Sequence, residues 1–380
     1  MRVRSSLPGL DDALGSIAAR AAEHDEDGSF PFEAFDALWP TGALRATIPV
    51  DAGGLGFGLS ETAELLVAIG EADPAVALSV SQHLVAHADV GGWEPQVLAK
   101  VRASSVDGVA LINALRVEPE LGTPGRGGLP ATVAERLPGG RGWRLSGRKI
   151  YSTGIPLLRW MLVWARTDDS EPLQGNFLVE SGTPGYRVER TWDSLGMRAT
   201  RSDDVVFEGA EVPIDHAIGL VDRPVPRSST LAWNALVIAA IYHGVARSAR
   251  DWLVRYLHER VPSNLGAPLA SLPRFQQEVG RIEALLTTGD ALLATVAAAF
   301  DAGDPAAPGA AALAKHTLTN QAIEVVLAAV ALVGNPGLLR RHPLERHLRN
   351  VLHGRIHTPQ DDVVLGMAGR AALAAVEGLR

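Results

Sequence analysis

The feature that most limits how this chain can fold is a change of period along it. Over residues 8 to about 90 apolar side chains recur three and four apart, as in LDDALGSIAARAAEHDE and LSETAELLVAIGEAD. That is the spacing of amphipathic helices. From about 108 to 218 the pattern shortens. GVALINAL, GWRLSGRKIYST, RWMLVWART, GNFLVES, GYRVERTW and DDVVFEGAEVP read as short strands divided by Gly, Pro, Asp and Ser. Strands at such close spacing suggest an antiparallel sandwich or barrel. From about 228 the helical period returns and lasts to the end.

Boundary residues refine the helical part. Ser228 and Ser229 are expected to cap the first long helix with their hydroxyls. Pro273 suits a first helical turn. Gly334, with Pro336 two residues on, marks a helix stop. The segment DAGDPAAPGAA, 301–311, reads as a loop.

Composition excludes several classes. The formal net charge is -8, so the basic surface of a nucleic-acid binder is missing. There is no cysteine, which removes disulfides, thiolate metal sites and cysteine nucleophiles and fits a reducing cytoplasm. The N-terminus, MRVRSSLPGLDDALG, lacks the apolar core of a secretory signal. The most apolar stretches, near 231–246 and 322–333, are expected to be too short or too polar to span a bilayer. His353 and His357 are four apart, but no third ligand has metal-site spacing, so no metal is expected.

Five motifs in order resemble the acyl-CoA dehydrogenase superfamily. IPVDAGGLG (48–56) looks like its Pro-x-x-x-Gly-Gly-x-Gly loop. VEPELGT (117–123) looks like its Glu-Pro-x-x-Gly-Ser turn. SGRKIYSTG (146–154) resembles its Gly-x-Lys-x-(Trp/Phe)-Ile-Thr segment. SLGMRATRSDDVVFEGAEVP (194–213) is close to its Leu-Gly-Met-Arg signature. LVGNPGLLRRHPLERHLRN (332–350) resembles its glycine turn followed by Pro-x-Glu-Arg-x-x-Arg-Asp. The resemblance covers nearly the whole chain. It implies a multidomain α+β fold: an N-terminal helical domain over about 1–107, a middle antiparallel β domain that binds flavin over 108–220, and a C-terminal four-helix bundle over 221–380. It also implies a homotetramer or homodimer with flavin at an interface.

The same resemblance assigns cofactor contacts. A flavin needs a flat apolar slot, a donor near its reactive nitrogen, and cationic or backbone partners for its phosphates. Thr153 takes the place of the threonine that donates a hydrogen bond to the flavin ring, and Tyr151 that of an aromatic covering it. Val117, Gly122 and Thr123 occupy the first-strand turn, with Thr123 in place of a serine. Arg260, in RVPSNLG, corresponds to an arginine that reaches a partner's pyrophosphate, at a spacing two residues longer; its other reading is a solvated helix end. Gln276, or Gln277, lies where relatives place a glutamine along the dimer-related flavin. Gly334 and Gly337 correspond to the turn that approaches a neighbour's dinucleotide, here interrupted by Asn335 and Pro336. The alternative for the two glycines is a helix cap and a turn. Either FAD or FMN is open.

The usual catalytic base is absent. Proton removal from a thioester needs a carboxylate shielded from water. Alignment onward from PLERHLRN places His357 at the family's tyrosine and Thr358 at its glutamate. The earlier helix that carries the glutamate in some relatives has Asn234. Ala232 and Ala235 stand where coenzyme A contacts are expected. RNVLHGRIHTP instead resembles the flavin-dependent monooxygenases that oxidise sulfur heterocycles and sulfones. There reduced flavin, delivered by a separate reductase, reacts with oxygen, and a histidine at the position of His357 stabilises or protonates the activated oxygen. An imidazole titrating near neutrality suits that exchange. Asn113 resembles a polar residue of that pocket, and His83 lies on a helix bordering it. His83 and His243 have packing as their plainer reading. Asp361 and Asp362 read as helix N-terminal acids.

The expected protein is thus a flavin-dependent oxidoreductase acting in the cytoplasm as a monooxygenase on a small organic substrate, with organosulfur compounds among the candidates. An acyl-CoA dehydrogenase with a displaced base, His357 or Asp361, is the second reading. A flavin-binding protein without turnover is the third.

Overall fold

The computed structural model describes residues 2–122, 127–225 and 227–377. Six helices come first: α1 (Arg2–Ser6), α2 (Leu10–Asp27), α3 (Phe32–Leu38), α4 (Leu59–Ala72), α5 (Pro74–Ala88) and α6 (Pro95–Asp107). Eight strands follow: β1 (Leu111–Leu115), β2 (Val133–Arg136), β3 (Gly142–Lys149), β4 (Leu158–Thr167), β5 (Gln174–Glu180), β6 (Tyr186–Glu189), β7 (Asp204–Pro213) and β8 (Ala217–Val221). Five helices close the chain: α7 (Ser228–Glu259), α8 (Pro273–Asp301), α9 (Ala307–Val333), α10 (Pro343–Val351) and α11 (Asp361–Glu377).

The strands form one sheet in the order β6-β7-β3-β2-β4-β5-β8, with β1 also paired to β4. Most neighbours are antiparallel. β1 and β2 both run parallel to β4, at opposite ends of it. The sequence reading did not include β2 and β8, which are four and five residues long.

Two helix boundaries correct the sequence expectation. The residue before α7 is Arg227, and neither Ser228 nor Ser229 caps the helix, since both lie inside it. α9 begins at Ala307 with Pro308 in its first turn, so the loop after α8 ends earlier than 311. A proline lacks the N–H that a first turn leaves unpaired anyway, which is why Pro308 starts a helix there. Gly334 ends α9 in a positive-φ conformation, and Pro273 opens α8.

α7 is the axis of the bundle. Its stretch from Ala235 to Ala246 is buried throughout. It crosses α4 at very short range because glycines face backbone from both sides. A Cβ on Gly70 would fall 2.6 Å from the Ile241 carbonyl oxygen, and one on Gly244 would fall 2.4 Å from that of Val67.

The expectation about membrane length is also corrected. α7, α8 and α9 are each long and apolar enough to cross a membrane by length and composition alone. Within the chain, 78% of the apolar window of α7 is buried, against 33% for α8 and 39% for α9. α9 exposes Leu313 and Leu327, whereas the exposed positions of α8 are mostly Ala, Thr and charged or amide residues.

Candidate active site

The turn between β1 and β2 is tied to the end of β3. Glu118 exchanges both backbone hydrogen bonds with Gly122, whose φ is +69°. The Val117 carbonyl accepts from the Ile150 N–H at 3.0 Å. Beneath them lies a buried ion pair: Lys149 Nζ donates to Glu118 Oε1 at 2.7 Å. Glu118 also accepts from the Thr132 hydroxyl at 2.6 Å and from the N–H groups of Ala131 and Thr132. Burial works to raise the Glu118 carboxyl, but Lys149 and Thr132 hold it below its ordinary value. Burial pulls Lys149 down to about 8 despite that partner. Thr123 lies outside the described residues.

Past β3 the backbone turns sharply. Tyr151 takes φ +58° and is 59% exposed. Thr153 is half-buried, and its carbonyl accepts from Asn113 Nδ2 at 2.9 Å. Asn113 itself is buried. It therefore positions Thr153 from behind.

The sheet meets the bundle through the loop 194–202. A Cβ on Gly196 would fall 2.4 Å from the Arg349 carbonyl oxygen, so only glycine permits that approach. The Met197 N–H donates to Asn350 Oδ1 at 2.7 Å. Arg349 binds both oxygens of Asp25 and both of Glu345. An aromatic run then crosses the junction. Tyr151 meets Trp192 edge-on at 6.2 Å, and Trp192 meets His353 at 6.4 Å.

Four residues beyond His353 sits His357. Its Nε2 lies 2.9 Å from the hydroxyl of Tyr242, which comes from the buried middle of α7. Burial raises the Tyr242 phenol well above its usual range, so it keeps its proton. Burial, with His353 and Lys315 nearby, pushes the His357 imidazole down to about 3. The ring is thus neutral at ordinary pH although the residue keeps some solvent exposure. Assigning the phenol as donor leaves the imidazole proton on Nδ1. Thr358 follows, half-buried, and offers no carboxylate.

Two residues of this cluster escaped the sequence reading. Tyr242 is one. The other is Lys315 of α9, whose side chain is fully buried and whose Nζ stands 3.5 Å from Asp361 Oδ1 without a closer acceptor. A signal existed for both. They occupy the buried stripe of otherwise apolar helices, at 238-242-246 and 311-315-319, where an ionisable group is costly. Asp361 lies in the first turn of α11. Its Oδ2 accepts from Asn320 and lies 3.0 Å from His316 Nδ1, which commits that oxygen to structure.

The remaining candidates are placed apart from this cluster. His83 is buried, with Nε2 2.6 Å from the Leu44 carbonyl and Nδ1 accepting from the Ile112 N–H. Both nitrogens bond backbone groups, so His83 pins α5 to β1. His243 is likewise occupied by Asp290 at 2.7 Å. Asn234 is half-buried and gives its amide to the Thr230 carbonyl. Arg260 is exposed at the end of α7, and Gln276 is exposed with its amide on the Ala270 carbonyl. Gly334 is exposed, whereas Gly337 is buried against Leu344 and Val330 of its own bundle. Among the described residues no group of three or more His, Asp or Glu is arranged to hold a metal.

The buried histidines make a prediction about acid. His357 and His347 are pushed to about 3 and His83 to about 4, all mainly by burial. Unfolded, each titrates near 6.5, so the unfolded chain binds more protons between those values. Stability therefore falls as pH drops below about 6.5, by up to roughly 2 kcal/mol per histidine at pH 5. Asp73, raised to about 6 by burial, works in the opposite sense and offsets part of this. Urea midpoints measured at pH 7.5 and pH 5 are expected to drop clearly; equal midpoints would refute the assignment of neutral buried rings.

The residues present fit a flavin. Tyr151 offers an exposed ring face beside Trp192, Thr153 a half-buried hydroxyl, and the turn at Gly122 close backbone. A fold of helices, sheet and helix bundle with such a junction is that of a flavoprotein oxidoreductase. Three family models match the chain: the acyl-CoA dehydrogenase N-terminal domain over residues 13–91, the middle domain over 118–210 and the C-terminal domain over 227–373. The chain belongs to the acyl-CoA dehydrogenase family. It is similar to a putative acyl-CoA dehydrogenase, YdbM, of Bacillus subtilis, with 34% identity over 363 residues, 93% of this chain and 94% of that protein. It is similar also to the L-evernosamine nitrososynthase of a Micromonospora, with 32% identity over 387 residues, 95% of this chain and 88% of that protein. Among solved structures, KijD3 in complex with FMN and dTDP-3-amino-2,3,6-trideoxy-4-keto-3-methyl-D-glucose superimposes with a TM-score of 0.83. Its identity is 28%, covering 98% of this chain and 94% of that one.

Proposed function

We propose that the protein is a monooxygenase that uses reduced flavin and oxygen to oxygenate a nitrogen or sulfur atom of a small organic molecule. One observation carries this reading. The position of the dehydrogenase base holds Thr358, and the group beside it is a neutral imidazole, His357, held by Tyr242. A neutral ring that donates a hydrogen bond from Nδ1, with its pKa at about 3 rather than near neutrality, suits stabilising activated oxygen and is too weak a base to remove a carbon-bound proton. The names of the relatives support the same direction, since a nitrososynthase oxidises an amine and KijD3 holds FMN beside an amino sugar.

FAD or FMN would be held by Val117, Gly122, Tyr151 and Thr153, with Thr123 beside them. When bound it supplies electrons to oxygen. The residues of this chain orient the ring, exclude water through the Trp192–His353 wall, and hold a proton at His357 Nδ1. Arg260, Gln276 and Gly334 are exposed, and they fit contacts to flavin across an interface between copies. The exposed Leu313 and Leu327 of α9 fit a homodimer or homotetramer in the same way. A separate reductase would deliver reduced flavin, in the cytoplasm. The domain boundaries that go with this reading are 1–107, 108–220 and 221–380.

Acyl-CoA dehydrogenation is the second reading, favoured by the name of the Bacillus relative. Against it, Asp361 is committed to Asn320, His316 and Lys315, and Asn234 to its own helix. Ala232 and Ala235 are fully buried methyls, so neither can meet coenzyme A. The deciding experiment mixes protein loaded with reduced flavin with oxygenated buffer in a stopped-flow cell. A transient absorption distinct from both reduced and oxidised flavin is expected. Its absence, with anaerobic bleaching of bound oxidised flavin by acyl-CoA thioesters, would establish the dehydrogenase instead.

A further inference from the structure

Only three of the 35 basic residues in this chain are lysines. Lys100 is exposed and pairs with Glu180. Lys149 is buried and gives a hydrogen bond to Glu118. Lys315 differs from both. Its side chain is 0% exposed on the inner stripe of α9, and its Nζ has no hydrogen-bond partner. Asp361 Oδ1, 3.5 Å away, is buried and equally without one. An ammonium that is taken out of water and spends none of its hydrogen bonds costs stability, so the fold keeps it against a penalty.

The amine borders the segment that carries His357. Residues 352–360 join α10 to α11 and are pressed into the groove between α7 and α9. A Cβ on Gly354 would fall 3.2 Å from the Tyr242 ring and 3.3 Å from Thr319 Cβ. The segment is fastened to α9 on both sides of His357. Before it, Arg355 Nε donates to Asn320 Oδ1 at 2.8 Å. After it, Asp361 Oδ2 accepts from Asn320 Nδ2 at 3.0 Å and lies 3.0 Å from His316 Nδ1. Lys315 is close enough for its charge to act on the His357 ring. Burial pulls the amine below the ordinary lysine value, and Asp361 works to hold it up. The other ionisable groups of this place are Tyr242 of α7, His316 of α9, and His353 and Arg355 of the segment. α8 meets α9 at Leu318, where Asp290 is tied to His243.

We propose that Lys315 is a positioning residue of the site: a buried ammonium, balanced without a hydrogen bond by Asp361, whose field favours negative charge at the His357 ring and disfavours positive charge there. Oxygen that takes electrons from reduced flavin gains negative charge, and the Nδ1–H of the neutral ring is the donor offered to it. A cation beside the ring makes the same place more favourable, because charge interactions are strong where water is excluded. Lysine rather than arginine suits the position. Its ammonium is compact, and it can lose its proton, which a guanidinium does not. The role rests on the monooxygenase reading above and goes beyond it, since Lys315 is fully buried and acts through His357.

The test has two arms, both on the full-length protein. The first needs no flavin. With carbon-13 at the lysine ε position, three signals are expected, and Lys315→Met removes the one that belongs to this amine. That signal is expected to show the charged form at pH 7.5 and to titrate below the ordinary lysine range. Asp361→Asn is expected to move the titration lower still. A neutral amine at pH 7.5 overturns the proposal. The second arm follows the stopped-flow transient. Lys315→Met is expected to shorten it about tenfold, the scale of one nearby charge. In the wild type the transient is expected to shorten as pH rises through the titration of the amine, because the positive charge is lost there. In Lys315→Met that limb is absent, and in Asp361→Asn it moves with the carbon-13 titration. The double variant, Lys315→Met with Asp361→Asn, leaves no orphan charge. Its urea midpoint is expected to lie above that of Lys315→Met while its transient stays short. A transient that recovers together with the midpoint marks a purely structural role and overturns the proposal. A transient that Lys315→Met leaves unchanged sinks the role of Lys315 and leaves the monooxygenase standing. No transient in the wild type, with acyl-CoA bleaching of oxidised flavin, sinks both.

Discussion

His357→Ala is expected to shorten the oxygen-derived transient about a hundredfold, the size of one lost hydrogen-bond donor to developing charge. Flavin binding should change little. The reasoning starts from what surrounds the ring. Tyr242 holds Nε2, and burial keeps the imidazole neutral. Removing the ring deletes the proton held at Nδ1 and opens a path for water to the junction. Tyr242→Phe separates the two effects. It keeps the wall but frees the imidazole to change tautomer, so a loss of about tenfold is expected, with the pH dependence of the decay altered. If His357→Ala decays at the wild-type rate, the imidazole has no part in the chemistry and the group that replaces it must be sought elsewhere at the junction.

Glu118→Gln is expected to destabilise the protein by about 3–5 kcal/mol, the cost of breaking a buried ion pair from one side. Lys149 is fully buried and draws its counter-charge from Glu118. With glutamine there, the ammonium has a neutral partner and its pKa falls further. The damage also reaches the site, because the Glu118 carboxylate ties the turn that carries Val117 and Gly122 to Ala131, Thr132 and Lys149. Flavin affinity should fall along with the denaturant midpoint. The double variant with Lys149→Met removes the orphan charge and should recover a large part of the loss, which a double-mutant cycle measures. A midpoint within experimental scatter of the wild type would show that Glu118 is not the counter-ion of Lys149.

The legible part of this protein can be told residue by residue. Gly334 and Pro273 mark helix ends in the sequence because their backbone chemistry acts locally. The strands β3, β4, β5 and β7 show as alternations because each is long enough to bury a face. Ser228 and Ser229 misled, since a hydroxyl caps only if the helix starts after it, and here the bundle draws both residues into the first turn. For His83 packing was already the plainer reading, and the structure supplies the partners.

What the sequence determined by itself is the succession of helices, sheet and helices, the five motifs that mark the family, and the absence of a carboxylate at Thr358 and Asn234. Those follow from local periodicity and residue chemistry, which need no knowledge of distant neighbours. Only the tertiary structure decided what stands around the site. Tyr242 reaches His357 across 115 residues of sequence, Met197 reaches Asn350 across 153, and Ser202 reaches Thr153 across 49. The reason is physical. A period tells which face of an element is buried, but the partner of a buried polar group is set by how the elements pack.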